Sequence, residues 1–248
     1  MDRNHSLIFF GSFGEYSRDF LREISVKYAV NAVVTSPPKP AGRHLKLTKT
    51  LVHEYALSQN IPVHHNFENL PPSDFILVAG YGKLIPENII RLPKIMAINF
   101  HPSLLPYYSG STPVEFALLN GETETGITYI KISPQFDTGD ILYQEKIAIL
   151  PEDNRLTLYK KLFSLGVKKT LDLLPQIAIG NFTLTPQPHI PDAIKSRKLT
   201  KQDGYVEYSQ LKNQNIESKI KAFAGWPGVW TIDPHGQRII LSSSPRKS

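Results

Sequence analysis

The chain has 248 residues, 41% apolar and 20% charged, which suits one large globular domain or a domain with a smaller companion and argues against extensive disorder. It has no cysteine, which excludes a disulfide, a thiol nucleophile and a cysteine-ligated zinc. A net charge of +6 favours anionic partners, nucleic acid first.

No apolar run approaches the roughly 18 residues of a membrane span. The opening Met1-Asp-Arg-Asn-His-Ser leads only into Leu7 to Phe10, too short for a signal-peptide core. With the absence of cysteine this predicts a cytoplasmic protein, not associated with a membrane and monomeric.

Residues 6–11 (SLIFFG) read as a first buried strand. Tyr16, Phe20, Leu21 and Ile24 then fall at helical spacing over 15–27, and 30–35 (VNAVVT) is a second β-branched run. This β-α-β order predicts a parallel sheet with right-handed crossovers. Gly11-x-x-Gly14 is only a fragment of a nucleotide-binding loop and reads as a tight turn, and no phosphate-loop lysine motif is present, so ATP chemistry is not predicted.

Residues 36–49 read as a loop, broken by three prolines and one glycine and carrying Lys39, Arg43, Lys46 and Lys49 with no acid. A solvated surface loop is one reading. Contact with phosphates is the sharper one, because unopposed cations gain from counterion release there. A helix is predicted over 48–59, with Leu51, Val52, Tyr55 and Ala56 inward. A buried strand (DFILVA) follows over 74–79. The loop from Gly80 to Pro86 has two glycines that permit a close ligand approach or a sharp turn. A short helix over 86–91 comes next. His64 and His65 lack ligand-like spacing to an acid and read as loop or surface residues.

The next apolar run, Ile95 to Ile98, is a further buried strand that ends in Asn99 and His101. Residues two apart on a strand share a face, and Pro102 keeps His101 extended. An amide and an imidazole therefore stand together where a strand leaves the sheet, which is where open α/β sheets bind ligands. Beyond it, Pro113 starts a helix that Gly121 terminates. Residues 125–133 and 141–150 are alternating strands joined by the tight segment 134–140, and 155–174 is a long amphipathic helix. The element order predicts a doubly wound, Rossmann-like α/β sheet, mostly parallel with antiparallel edge strands. The expected division is a domain over 1–180, a proline-rich and basic linker over 181–203, and a small β-rich unit over 204–248. That unit has a helix near 215–223 and a hairpin around Asp233-Pro-His-Gly236. With only ~45 residues it is close to the ~40 below which a unit rarely holds a core alone, so it either packs on the first domain or is a shortened form of something larger.

Asn99-x-His101-x-Ser103-Leu-Leu-Pro106, followed by Phe136-Asp-Thr-Gly-Asp140, resembles the 10-formyltetrahydrofolate-dependent formyltransferases. Pro40-Ala-Gly-Arg43 with Lys46-Leu47 looks like the basic loop of the branch that formylates methionyl-tRNA. Lys198-Leu-Thr-Lys-Gln-Asp-Gly204, Lys219-Ile-Lys-Ala-Phe223 and Trp226-Pro-Gly228 look like that branch's linker and C-terminal opening. The sequence departs from the pattern at Ser109, where a basic residue is common, and at Pro102, more typical of the enzymes for small acceptors.

The resemblance implies transfer of a formyl group from 10-formyltetrahydrofolate to the α-amine of methionyl-initiator tRNA, with no metal. Asn99 would donate to the developing oxyanion, His101 would donate or accept a proton, and Asp137 would orient His101. Ser103, Leu104, Leu105 and Pro106 would line the folate pocket, with Val78, Gly80, Tyr81 and Gly82 opposite; Leu105–Pro106 is a candidate cis bond. Lys39, Arg43, Lys46 and Lys49 would meet the tRNA. A lone Asn, His or Asp at such positions is more often structural, and only their joint spacing favours catalysis. The alternatives are an N-formyltransferase for an amino-sugar nucleotide and a non-catalytic folate- or RNA-binding protein.

Overall fold

The computed structural model of the chain describes residues 5–41, 45–211 and 215–242. The order of elements is β1 (Ser6–Phe10), α1 (Gly14–Ser25), β2 (Ala29–Val34), β3 (Lys39–Ala41), β4 (Lys46–Thr48), α2 (Leu51–Ser58), β5 (Val63–His64), β6 (Phe75–Ala79), α3 (Glu87–Ile90), β7 (Met96–His101), α4 (Pro113–Leu119), β8 (Glu124–Lys131), β9 (Ile141–Ala148), α5 (Arg155–Ala178), α6 (Asn215–Ala222), β10 (Val229–Ile232) and β11 (Arg238–Leu241).

Seven strands form one sheet in the order β5-β2-β1-β6-β7-β8-β9. The pairs β1–β2, β1–β6, β2–β5 and β6–β7 are parallel, and β7–β8 is antiparallel. β1 and β6 are buried along almost their whole length, because helices cover both faces of a parallel sheet and leave no polar side. The chain builds outward from β1 to β2 and β5, then returns to add β6 and β7. Such a reversal opens a crevice beyond the carboxyl ends of the strands.

The described residues fall into two compact units. One takes in the stretches within 1–101, 127–144 and 163–189, and the other those within 102–126, 145–162 and 190–248. In the first unit, Ile8, Phe10, Val34, Ile76, Val78 and Ala97 fill one layer of the core. Phe100 anchors an aromatic layer, with its ring centroid 5.3 Å from Phe20, 4.9 Å from Phe163 and 5.6 Å from Tyr129. In the second unit, the buried Glu115 of α4 accepts from Arg155 at 2.6 Å and Tyr159 at 2.7 Å, and β10 and β11 form an antiparallel hairpin.

Several local expectations change. The stretch expected as a loop over 36–49 contains a short antiparallel hairpin, β3–β4, in which Pro40 faces Leu47. Proline is tolerated there because a two-stranded ribbon has only edge strands. On α2 the buried residues are Val52, His53 and Ala56, while Leu51 is exposed, so the inner face is rotated from the one expected. His64 joins the sheet in β5. His65 is bonded through Nδ1 to the Thr35 carbonyl at 3.1 Å and lies 5.0 Å from the His53 ring, so this histidine pair is part of the packing. The long helix does not stop before Pro175 but runs a further turn. Burial of Leu174 and Ile177, at about 1.5–3 kcal/mol each, offsets the roughly 3 kcal/mol proline penalty.

Candidate active site

Strand β7 carries Asn99 and His101, and its register is set from both sides. Asn99 pairs with Val78 on β6 and Ile130 on β8, and His101 with Thr128. Phe100 between them points into the aromatic layer, so alternation sends Asn99 and His101 to the other face. Gly166 on α5 makes that seating possible: a Cβ there would lie 2.5 Å from the Phe100 ring.

Asp137 comes from the connection between β8 and β9. Its backbone is left-handed, with φ 55, a conformation aspartate tolerates better than most residues. Gly139 lets the connection fold back on β8; a Cβ there would be 1.7 Å from the Lys131 carbonyl oxygen. Ser133 and Thr138 hydroxyls meet at 2.8 Å across the same turn. The Gln187 amide donates to the carbonyls of Asp137 and Gly139, each at 2.8 Å.

These elements bring the three side chains together. Asn99 Nδ2 donates to Asp137 Oδ1 at 3.4 Å, and His101 Nδ1 lies 3.5 Å from the same oxygen. The His101 and Asp137 side chains are only 6% and 10% exposed, so water does little to weaken their interaction. An amide has two N–H bonds, and the bond to Asp137 uses one of them.

Beside them is an open cleft, lined by Val78, Tyr81, Ile85, Asn99, Ile130 and Asp137 among others. The Tyr81 hydroxyl is buried and has no hydrogen-bond partner among the described residues, and burial raises its pKa.

Of the residues expected opposite the motif, Val78 and Tyr81 line this cleft, whereas Gly80 and Gly82 do not. Gly80, with φ 75, instead fits against α1: a Cβ would meet Phe13 at 2.5 Å and the Ser17 hydroxyl at 2.6 Å. Ser103 to Pro106 belong to the second unit. There Ser103 Oγ donates to the Tyr107 carbonyl at 2.8 Å, Leu104 packs where a Gly126 side chain would be, and Leu105–Pro106 is cis. Lys39, Lys46 and Lys49 are exposed on and beside the β3–β4 hairpin, in company with exposed Leu45 and Leu47. Arg43 lies outside the described residues. Sequence reasoning missed Ile85, Ile132 and Phe136 in the cleft wall, and Gln187, which sits in the stretch read as a linker. Of these, only Ile132 was hinted at, by the alternation of 130–132.

Among the described residues no group of three or more His, Asp or Glu is placed to hold a metal ion, and no helix is long and apolar enough to cross a membrane.

The formyl transferase family description matches residues 7–174. A methionyl-tRNA formyltransferase of Dictyoglomus turgidum is 36% identical over 237 residues, covering 91% of this chain and 74% of that protein. One from Kosmotoga olearia is 38% identical over 237 residues, covering 91% and 75%. Among solved structures, a 4-N formyltransferase from Francisella tularensis superposes with a TM-score of 0.75 at 17% identity, covering 99% of this chain and all of that one, which is a likeness of fold.

Proposed function

Because the chain belongs to the formyl transferase family, we propose that it transfers a formyl group from 10-formyltetrahydrofolate to the α-amine of methionyl-initiator tRNA. The observation that carries this reading is the meeting of an amide, an imidazole and a carboxylate on the wall of a cleft, on the residues the motif singles out. In this reading the protein works as a cytoplasmic monomer, with 1–180 as the catalytic domain, 181–203 as the linker and 204–248 as a C-terminal domain.

The cleft suits a flat heteroaromatic ring. Val78, Ile85, Ile130 and Ile132 offer apolar walls, and the unpartnered Tyr81 hydroxyl offers a polar edge. Ser103, Leu104, Leu105 and Pro106 are further donor contacts in this reading. When bound, the donor supplies a formyl carbon open to attack by an amine.

Asn99 turns its second N–H toward the oxygen on which negative charge develops, and losing such a donor typically costs ~10²–10³ in rate. His101 takes the proton of the attacking amine when neutral, or adds a second donor when charged. Asp137 accepts from Asn99 and faces His101, so one carboxylate orients both groups.

Exposed Lys39, Lys46 and Lys49, with Arg43, give the acceptor reading its support, since the many phosphates of a tRNA backbone reward a spread of such cations more than the few of a sugar nucleotide. The deciding assay offers 10-formyltetrahydrofolate with methionyl-tRNA and with a 4-amino-sugar nucleotide in separate reactions. Formylated methionyl-tRNA is the expected product. Formylated sugar alone would overturn the acceptor, and no product from either would point to a non-catalytic folate- or RNA-binding protein.

A further inference from the structure

We propose that Gln187 is a positioning residue of the formyl-transfer site, holding Asp137 in place from outside the sheet; this rests on the catalytic reading of Asp137 given above. Its side-chain Nε2 has two N–H bonds, and they go to the carbonyls of Asp137 and Gly139, both at 2.8 Å. One side chain thereby closes the turn that presents the carboxylate.

The turn needs such a closure. Asp137 is in the left-handed region, which costs a non-glycine residue about 1 kcal/mol or more. Residues 134–136 and 138 are exposed, so little burial holds the turn. Its other ties include local hydroxyl contacts of Ser133 and Thr138, the Lys131 N–H to the Asp140 carbonyl at 2.9 Å, and the contacts of the Asp137 carboxylate with Asn99 and His101.

Gln187 itself is built to hold still. Two residues before it, Thr185 exchanges backbone hydrogen bonds with Ile141 at the start of β9, at 2.8 and 2.9 Å. Pro186 and Pro188 flank it, so the φ values on both sides are fixed and Gln187 is kept extended. Gln187 is half-buried while both prolines are exposed, so of these three residues it alone turns inward. A solvated linker has no need of such a contact.

Carbonyls accept and never donate, so the contact requires a donor with two N–H bonds. Gln187→Leu keeps the size and removes both. Gln187→Glu keeps the shape, and when ionised turns acceptor against acceptor; when protonated it regains one donor. The test measures steady-state formyl transfer by the full chain, melting temperature, and backbone amide exchange across 134–140, for the wild type and both variants.

A displacement near 1 Å typically lowers a rate by ~10²-fold, so Gln187→Leu is expected to lower kcat by roughly 10- to 100-fold with both KM values within about twofold. Exchange across 134–140 should rise while the rest of the chain keeps its protection. The ratio of Gln187→Glu to Gln187→Leu activity should climb as pH falls through the carboxyl range, which a merely structural role would not produce. A kcat within twofold of wild type, a loss that only follows the folded fraction, or unchanged exchange would overturn the proposal. Should Gln187→Leu not fold, the pH-dependent recovery of Gln187→Glu, or its absence, decides. If the wild type formylates neither acceptor, the catalytic reading fails, and the exchange measurement still decides whether Gln187 holds the turn.

Discussion

Gly139→Ala is the sharpest perturbation of the site that removes no functional side chain. The added methyl would stand 1.7 Å from the Lys131 carbonyl oxygen and 2.9 Å from its carbon. Both are backbone atoms of a strand inside a sheet, so neither can swing aside. The turn must therefore retreat by about 1.3 Å for the nearest contact to reach 3.0 Å. That retreat pulls on the Lys131–Asp140 hydrogen bond and on both Gln187 contacts, and it carries Asp137 away from Asn99 and His101, already 3.4 and 3.5 Å from its oxygen. Overpacking of this kind costs typically ~1–3 kcal/mol, and because the turn is at the surface the lower end applies. The effect on rate should be larger, near 10²-fold in kcat, because misplacement by about 1 Å is felt fully in a transition state. Single-turnover formyl transfer with methionyl-tRNA, beside a melting curve, separates the two. A folded Gly139→Ala protein with wild-type single-turnover rate would refute the view that the position of Asp137 matters to the chemistry.

Three further outcomes are expected. Asn99→Ala should lower kcat by ~10²–10³ with little change in melting temperature, since among the described residues the Asn99 side chain bonds to Asp137 at the cleft; a loss under tenfold would remove it from the oxyanion role. Replacing Lys39, Lys46 and Lys49 by Gln should raise KM for tRNA, leave KM for the donor alone and flatten the salt dependence by about 0.7–0.9 for each phosphate no longer neutralised, and unchanged salt dependence would turn the hairpin away from tRNA. Asp203→Asn should lower the melting temperature at neutral pH, because the Arg197 hydrogen bond, followed by bonds from Thr200, holds the Asp203 carboxyl well below its ordinary 3.8. A depressed carboxyl stabilises the fold fully above the unfolded value, and that contribution is lost as pH falls toward the folded one. The gap between the two proteins should thus be constant from pH 7 to about 4 and narrow below; a gap that widens in acid would contradict this.

How much of this was legible in the chain differs from place to place for physical reasons. The central strands were plain. Leu7 to Phe10 and Phe75 to Ala79 are unbroken apolar runs because both faces of a parallel sheet are covered, and their observed bounds fall within a residue of the expected ones. Asn99 and His101 were readable because strand alternation is local and Pro102 fixes the exit. Strand β5 was not, since two residues carry no period, and the β3–β4 hairpin was hidden by its proline. The fate of Gly80 depended on Phe13 and Ser17, over 60 residues away in sequence, and Gln187 on carbonyls about 50 residues away. Interactions of that range leave no local pattern. The stretch from 181 to 203 has the composition of a free linker, yet each half is tied down within its own unit. Thr185 bonds to Ile141 and Gln187 to the turn of Asp137, while Ser196 donates to the Ser109 carbonyl at 2.7 Å.

Gly166 has a bearing on attempts to make this protein more robust. A glycine in mid-helix forfeits about 1 kcal/mol relative to alanine, so any scheme that ranks positions by helix propensity would select it for replacement. The methyl gained would press on the ring of Phe100, the residue between the amide and the imidazole, and heat resistance won in α5 would be lost as turnover at the far side of the same strand.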